Sequence, residues 1–454
     1  MLFDVEIINV KKKNQIYSLF NKDNIEDFSF GLVVFEIPRG TRDFSPNQMN
    51  QRRFVESKIR SVFESYGYTE IQTPTFEHLD LFTEKSGDQI LDELYSFTDK
   101  GGRNLALRPE LTAPVIRFYV NKLQMEPKPL KLFYFGNCFR YDRPQKGRYR
   151  EFMQAGCELI GTGKPEAIAE LICMASALIS SVGLHNINLH IGDLSLLKQV
   201  FLHFSISDET QSLLIPAIDK EEFDEVETIL NTAGFSQEKI TAFLKILRSN
   251  DLDKVKNMLE TDSQAEKIID RLQKVMSFLT ESFQLTNVSL NLGIVRGLDY
   301  YMGIVFEIEA PALGAEKQIC GGGEYRLINL FGGRDTPTAG FALGFDRTIL
   351  AMQLENIVFP SEFLDYFIIP VDNNLIADAI SIAQRLRNKQ YKVDIDLKRR
   401  GIGKALKYAN YRNAKKVLLL GPDEKQQQAV TIRNMGSGEQ KLVSLSELYR
   451  KEDQ

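Results

Sequence analysis

No run of about 18 apolar residues occurs in the 454-residue chain, so a membrane-spanning helix is not expected. Cysteine is scarce. Cys138, Cys157, Cys173 and Cys320 are scattered, with no C-x-x-C pair and no clustering with the four histidines. That spacing argues against both a zinc or other metal site and a disulfide framework, and it points to the reducing cytoplasm. The N-terminus, MLFDVEIINVKKKNQ, carries acidic residues early and no uninterrupted apolar stretch, so it does not read as a signal peptide. A positive surplus is missing too: 56 Lys and Arg face 61 Asp and Glu, which excludes a protein coated in basic surface.

What is present is unevenly placed. From Asp365 to the end, 17 Lys and Arg stand against 11 Asp and Glu. A basic C-terminal region on an acidic body marks either a localised polyanion site or merely uneven solvation. At about 100–200 residues per domain, the length implies two to four domains.

Residues 1–34 alternate weakly around Lys11, Lys12 and Lys13 and suggest an added strand or an arm. From Ser45 the signals sharpen. Ser45-Pro46-Asn47-Gln48 offers an N-cap, a first-turn proline and a reciprocal glutamine. Phe54, Val55, Ile59, Val62, Phe63 and Tyr66 then recur at helical spacing until Gly67. TEIQTPTFE reads as a strand, and Pro74 confines it to an edge or an interface. Further strands are expected at NLALRPEL, KLFYFGNCFRYD, REFMQAGCELIG, INLHIG, VSLNLGIV, VFEIEAP and TAGFALGF. Residues 194–286 are dominated by helical patterns, with little strand signal. After Pro360 strands (YFIIPV, KVDIDL, KVLLLG, AVTIRN) alternate with helices, the pattern of a small α/β domain.

Period two through REFMQAGCELIG puts Phe152, Gln154, Gly156 and Glu158 on one face and Met153, Ala155, Cys157 and Leu159 on the other. The second face is core. The first holds an aromatic plate, an amide, bare backbone and a carboxylate. The preceding loop gathers Arg143, Lys146, Arg148 and Arg150, with Arg140 on the incoming strand. Such a loop over a concave sheet suits nucleotide or nucleic-acid phosphates. TAGFALGFDR repeats the alternation: Gly340, Ala342 and Gly344 on one face, Phe341, Leu343 and Phe345 on the other, before Arg347. Those small residues let a flat ring approach the backbone, or serve helix–sheet packing. RGLDYY adds Arg296, Asp299, Tyr300 and Tyr301, and LRPELT adds Glu110 and Thr112, acceptors for an ammonium group. In KRRGIGKALKYANYRNAKK cations and tyrosines surround one helix, a composition suited to phosphates and unpaired bases.

These residues carry a resemblance. FRYDRPQKGRYREF is similar to motif 2 of the class II aminoacyl-tRNA synthetases, GFALGFDR to motif 3, and the Ser45–Glu77 segment to motif 1. RGLDYY and LRPELT resemble the histidine-specific motifs of the histidyl-tRNA synthetase family. The likeness runs from about residue 37 to the C-terminus. The implied fold class is α+β: an antiparallel sheet flanked by helices, with a helical insertion and a C-terminal α/β anticodon-binding domain. The implied divisions are an N-terminal extension (1–36), a catalytic domain (37–193 and 287–358), the insertion (194–286) and the anticodon-binding domain (365–454). Family chains usually begin just before PRGTRDF, so a start near Val34 is expected.

The resemblance also implies roles. Glu110, Thr112 and Gln154 would hold the α-amino group of L-histidine; Glu158 and Tyr301 would bracket its imidazole, with Tyr300 and Tyr325 shaping the pocket. Arg140 and Arg347 would clamp the phosphates of ATP, with Arg148 and Gly344 beside them and Phe152 against adenine. Arg296 would contact the reacting carboxylate and the α-phosphate. Arg296, Arg140 and Arg347 are thus the implied catalytic groups. Arg143 and Gln145 would face the acceptor end of tRNA(His). Mg²⁺ would arrive with ATP, and motif 1 would build a homodimer. Three departures stand out. Asp142 replaces the usual Glu. Glu324 and Arg326 flank Tyr325 with the usual charges exchanged, where a reversed local pair could survive. Met302 and Ile304 replace small polar residues. Two non-catalytic readings share the fold: the regulatory subunit of ATP phosphoribosyltransferase, and a tRNA-sensing module.

Overall fold

The computed structural model describes residues 35–450, apart from 87, 144–146, 260–262 and 296–300. Residues 1–34, Gln145, Arg296 and Tyr300 therefore lie outside the described residues.

The Pro46–Ser65 helix starts as its sequence dictates. Ser45 is extended, its hydroxyl accepts from the Gln48 amide, and its own amide donates to the Gln48 side chain at 2.8 Å. It ends at Tyr66, and Gly67 follows in the left-handed region at φ 77°. Its apolar stripe buries Val55, Ile59 and Phe63, each contributing about 1.5–3 kcal/mol. Phe63 stacks on Phe133 with centroids 4.9 Å apart.

TEIQTPTFE does not form one strand. Pro74 divides it into β1 (Thr69–Glu70) and β2 (Phe76–His78). β2 is an edge of a three-stranded sheet with β3 (Ser96–Thr98) and β4 (Asn104–Leu107), in the order β2-β4-β3. Buried Arg108 closes β4. Its guanidinium donates to the carbonyls of Thr73, Pro74 and Asn137 at 2.8–3.0 Å, tying the proline segment to the main sheet.

That main sheet has eight strands. With β1 they are β5 (Leu130–Phe139), β6 (Glu151–Ile160), β7 (Asn188–Asp193), β8 (Val288–Leu290), β9 (Tyr301–Glu309), β10 (Gln318–Tyr325) and β11 (Thr338–Gly344). Their order is β1-β5-β6-β11-β10-β9-β7-β8. All pairs are antiparallel except the parallel edge pairs β1–β5 and β7–β8. One face carries the core: Phe133, Ala155, Cys157, Leu159, Phe341 and Leu343 pack beneath the helices Pro46–Ser65, Pro165–Ser181 and Phe345–Leu354. An antiparallel sheet can leave its other face for a ligand. β10 is absent from the strands expected from the sequence, since three consecutive glycines, Gly321, Gly322 and Gly323, carry little strand signal. A side chain at Gly322 would meet the Gly340 carbonyl oxygen at 2.2 Å, so the strand fits only without one.

Between β7 and β8 every described regular element is helical, from Leu194–His203 to Phe278–Ser282. These helices share one continuous core with the main sheet. The C-terminal sheet comprises β12 (Leu364–Pro370), β13 (Val393–Ile395), β14 (Ala414–Leu420), β15 (Ala429–Asn434) and β16 (Gln440–Ser444), in the order β13-β12-β14-β15-β16. Its first three strands are parallel and the last two antiparallel. Helices Ile376–Arg387 and Ile402–Tyr411 cover opposite faces. Partly polar QKLVS, now β16, was not expected as a strand.

One buried carboxylate joins three segments. Asp346 opens the Phe345–Leu354 helix, pairs with Arg42 at 2.8 Å and with Arg52 of the first helix, and accepts from the Met153 amide at 2.7 Å. Asp346→Ala leaves two arginines without their partner and is expected to lower stability by about 3 kcal/mol in urea unfolding. A loss below about 1 kcal/mol would contradict this account.

Candidate active site

Cross-strand register builds the site from small residues. On the face away from the core, Glu158 lies between Leu132 and Gly340, Gly156 between Tyr134 and Ala342, and Gln154 between Gly136 and Gly344. The alternation read from REFMQAGCELIG and TAGFALGF is therefore the alternation of the sheet.

Glu158 is 1% exposed. The Tyr134 hydroxyl donates to its Oε1 at 3.0 Å, and the Tyr325 hydroxyl donates to its Oε2. A Cβ on Gly340 would stand 1.9 Å from Oε2, so the carboxyl group lies directly over bare backbone. Burial pushes its pKa up to about 8; hydrogen bonds from Tyr325, Tyr134 and Thr112 oppose the rise, and the charge of Glu110 adds to it. Tyr134 escaped sequence reading, although the period of β5 aligns it with Gly136 and Cys138.

The other residues expected around a small ligand converge here. The Glu110 carboxylate accepts from the amides of Thr112 at 2.6 Å and Ala113 at 3.1 Å, fixing the first turn of the Thr112–Phe118 helix. The Cys138 thiol donates to Gln154 Oε1 at 3.2 Å, an orienting contact that the sequence did not reveal. Tyr301 meets Tyr325 edge to face, with centroids 6.1 Å apart.

The second group lies toward the ends of β5, β6 and β11. Arg140 Nε donates to the Pro109 carbonyl at 3.0 Å, and its guanidinium carbon lies 5.4 Å from the Phe152 ring centre. Arg347, one turn past Gly344, donates to the carbonyls of Gly147 and Gln318 and pairs with Glu316 at 2.9 Å. Half-exposed Arg148 reaches the same Glu316 oxygen at 3.3 Å. Glu316 thus joins two of the expected nucleotide arginines, and no motif had marked it. Arg143 is exposed on the loop. Arg150 serves the loop itself: its amide donates to the Gly40 carbonyl, and its guanidinium stacks 4.0 Å from the Tyr141 ring centre.

The reversed Glu324–Arg326 pair does not form. Glu324 pairs with Arg271 of the helical region, with contacts at 2.6 and 2.8 Å. Arg326 faces Asp335 at 3.8 Å, both more than half exposed. β10 ends at Tyr325, so Arg326 lies beyond the strand and Glu324 is left to the more buried Arg271. One end of the site can therefore hydrogen-bond a polar ring, and the other presents cations and an aromatic face to an anionic nucleotide.

A family model for histidyl-tRNA synthetase matches residues 40–348, and an anticodon-binding domain model matches residues 365–451. The chain belongs to the histidyl-tRNA synthetase family. The histidine–tRNA ligase of Methanocaldococcus jannaschii is 45% identical over 424 residues, covering 92% of this chain and 99% of that protein. That of Methanosarcina acetivorans is 44% identical over 427 residues, covering 91% and 97%. The crystal structure of apo histidyl-tRNA synthetase from S. aureus superposes with a TM-score of 0.70 at 29% identity, covering 92% of this chain and 99% of its own. The class II synthetase fold expected from the motifs is the fold observed.

The raised pKa of Glu158 has a measurable consequence. Its folded value, about 8, lies above the ordinary 4.5. Between them the unfolded chain releases the proton and the folded chain keeps it, so Glu158 lowers stability as pH rises through that window. Melting curves from pH 5 to 8 are expected to fall more steeply for the wild type than for Glu158→Gln. Parallel curves would contradict the assignment.

Proposed function

We propose that the chain activates L-histidine with ATP and transfers the histidyl group to the 3′ end of tRNA(His). The observation that carries the reading is Glu158: a buried, protonatable carboxyl group held by two tyrosine hydroxyls, with cationic and aromatic residues at the other end of the same face. An imidazole offers one ring N–H and one ring acceptor. A carboxyl group with a pKa near neutrality can serve either, by giving or keeping its proton.

In the first step a histidine carboxylate oxygen attacks the α-phosphorus of ATP. The new O–P bond forms as the bond to pyrophosphate breaks, giving histidyl-adenylate. In the second, a ribose hydroxyl at the tRNA 3′ end attacks the activated carbonyl carbon, and AMP leaves. The proposed histidine contacts are Glu110, Thr112 and Gln154 to the ammonium group, Glu158 and Tyr301 to the ring, and Tyr300 and Tyr325 shaping the pocket. Arg140 and Arg347 hold phosphates, with Arg148 and Gly344 beside them and Phe152 against adenine. Arg296 contacts the reacting groups. Catalysis comes from orientation and from cations aimed at charge that develops on phosphorus, with no covalent enzyme intermediate. Mg²⁺ enters as the counter-ion of ATP.

The accompanying domain roles are catalytic for 37–193 and 287–358, acceptor-arm bracing for 194–286 and anticodon binding for 365–454. Arg143 and Gln145 meet the acceptor end. The match of residues 365–451 to an anticodon-binding domain favours the ligase over the regulatory-subunit reading. Four free, buried cysteines suit the cytoplasm. Two copies associate through the first helix and the segment after Pro74; exposed Phe76 and Phe97, edge to face at 6.2 Å, support this. Sedimentation should give twice the mass of one chain, and a monomer would refute it.

Pure protein is expected to catalyse histidine-dependent ATP–pyrophosphate exchange; no exchange would refute the reading. Glu158→Gln should raise KM for histidine by about 10- to 100-fold with little change for ATP. Arg296→Ala should lower adenylate formation by several orders of magnitude.

A further inference from the structure

The histidine-facing end of the site contains an irregularity that its own strands do not resolve. β10 pairs with β9 at Gly323–Val305 and again at Tyr325–Tyr301, with a register shift between. Three residues, Met302, Gly303 and Ile304, thus oppose the single residue Glu324. Such a bulge strips ladder partners from the backbone and re-aims the side chains beside it. Here those side chains are Tyr301 and Tyr325, and Tyr325 bonds Glu158.

Glu324 fills the gap. Its Oε2 accepts from the Ile304 amide at 2.9 Å. Gly303 sits at φ 75°, and a Cβ there would lie 2.5 Å from the same oxygen, so the carboxylate rests on a residue that must be glycine. This places a mostly buried charge inside the sheet, which is costly unless it is paired. The partner comes from outside the sheet. Arg271 lies on the Ser263–Ser277 helix, whose Ala265, Ile269, Leu272 and Val275 are anchored in the core. It grips both Glu324 oxygens, at 2.8 and 2.6 Å, and donates to the Gly163 carbonyl at 2.9 Å. A planar guanidinium bound twice fixes orientation as well as distance.

We infer that Arg271 is a positioning residue for the histidine pocket: through Glu324 the helical region holds the β9–β10 bulge in the shape that sets Tyr301 and Tyr325 against Glu158. Without Arg271, Glu324 loses its clamp, and the two tyrosines lose their fixed register. The ring-binding end should suffer, while the Arg140–Arg347 end stays intact. The inference rests on the reading of this pocket as the histidine site.

The test is steady-state ATP–pyrophosphate exchange with the full chain, varying histidine and ATP separately. Arg271→Ala is expected to raise KM for histidine about tenfold, with KM for ATP and kcat within about twofold of the wild type. Arg271→Lys, which keeps the charge but not the fork, should fall between them. Glu324→Gln keeps an acceptor for the Ile304 amide while removing the ion pair. It should reproduce the selective rise and provides the measurement if Arg271→Ala does not fold. An unchanged KM for histidine with a lowered melting temperature would make Arg271 a mere brace and overturn the inference. So would equal losses for histidine and ATP. Failure of the functional reading is separately visible, as absence of histidine-dependent exchange in the wild type.

Discussion

The site depends on keeping one carboxyl group, Glu158, buried within the sheet between two tyrosine hydroxyls. Water is excluded, so its charged form is disfavoured and two tyrosine hydroxyls take the place of solvent. That requirement spreads outward. Gly340 must lack a side chain for the carboxyl group to fit. Tyr134 and Tyr325 approach from different sides, so β5, β6, β11 and β10 must hold one register. The bulge beside Tyr325 then needs Glu324, and Glu324 needs Arg271.

The cations of the FRYDRPQKGRYREF stretch, which look alike in sequence, divide by geometry. Arg150 stacks on Tyr141 and holds the loop to Gly40. Arg140 lies beside Phe152 in the site. Arg148 shares Glu316 with Arg347. Arg42, Arg52 and Arg108 are spent on structure, pairing with Asp346 or gripping backbone carbonyls. The stretch thus serves both the loop and the site, while Arg42, Arg52 and Arg108, outside it, serve the scaffold.

Much of this was legible in the sequence because it rests on local rules. The capping box at Ser45, the helical stripe through Phe63 and the period of two around Glu158 each follow from a few neighbouring residues. What escaped needs distant partners. β10 was hidden because its glycines are dictated by β11, a strand some 20 residues on. Tyr134, Glu316 and Arg271 acquire meaning only when strands or helices far apart in the chain meet. The reversed Glu324–Arg326 pair that the sequence left open does not form for the same reason: a neighbour in sequence lost to Arg271, which lies 53 residues away. Pro74 marks an edge, as its missing N–H requires, and it also breaks the strand in two.

The central claim is that Glu158 waits as a neutral acid and meets the imidazole through that proton, given or kept. Infrared difference spectra at neutral pH, with and without L-histidine, test it directly. The account predicts loss or shift of a protonated-carboxyl band on binding, and no such change in Glu158→Gln. A carboxylate already ionised in the free protein, or a difference spectrum that survives in Glu158→Gln, would contradict it.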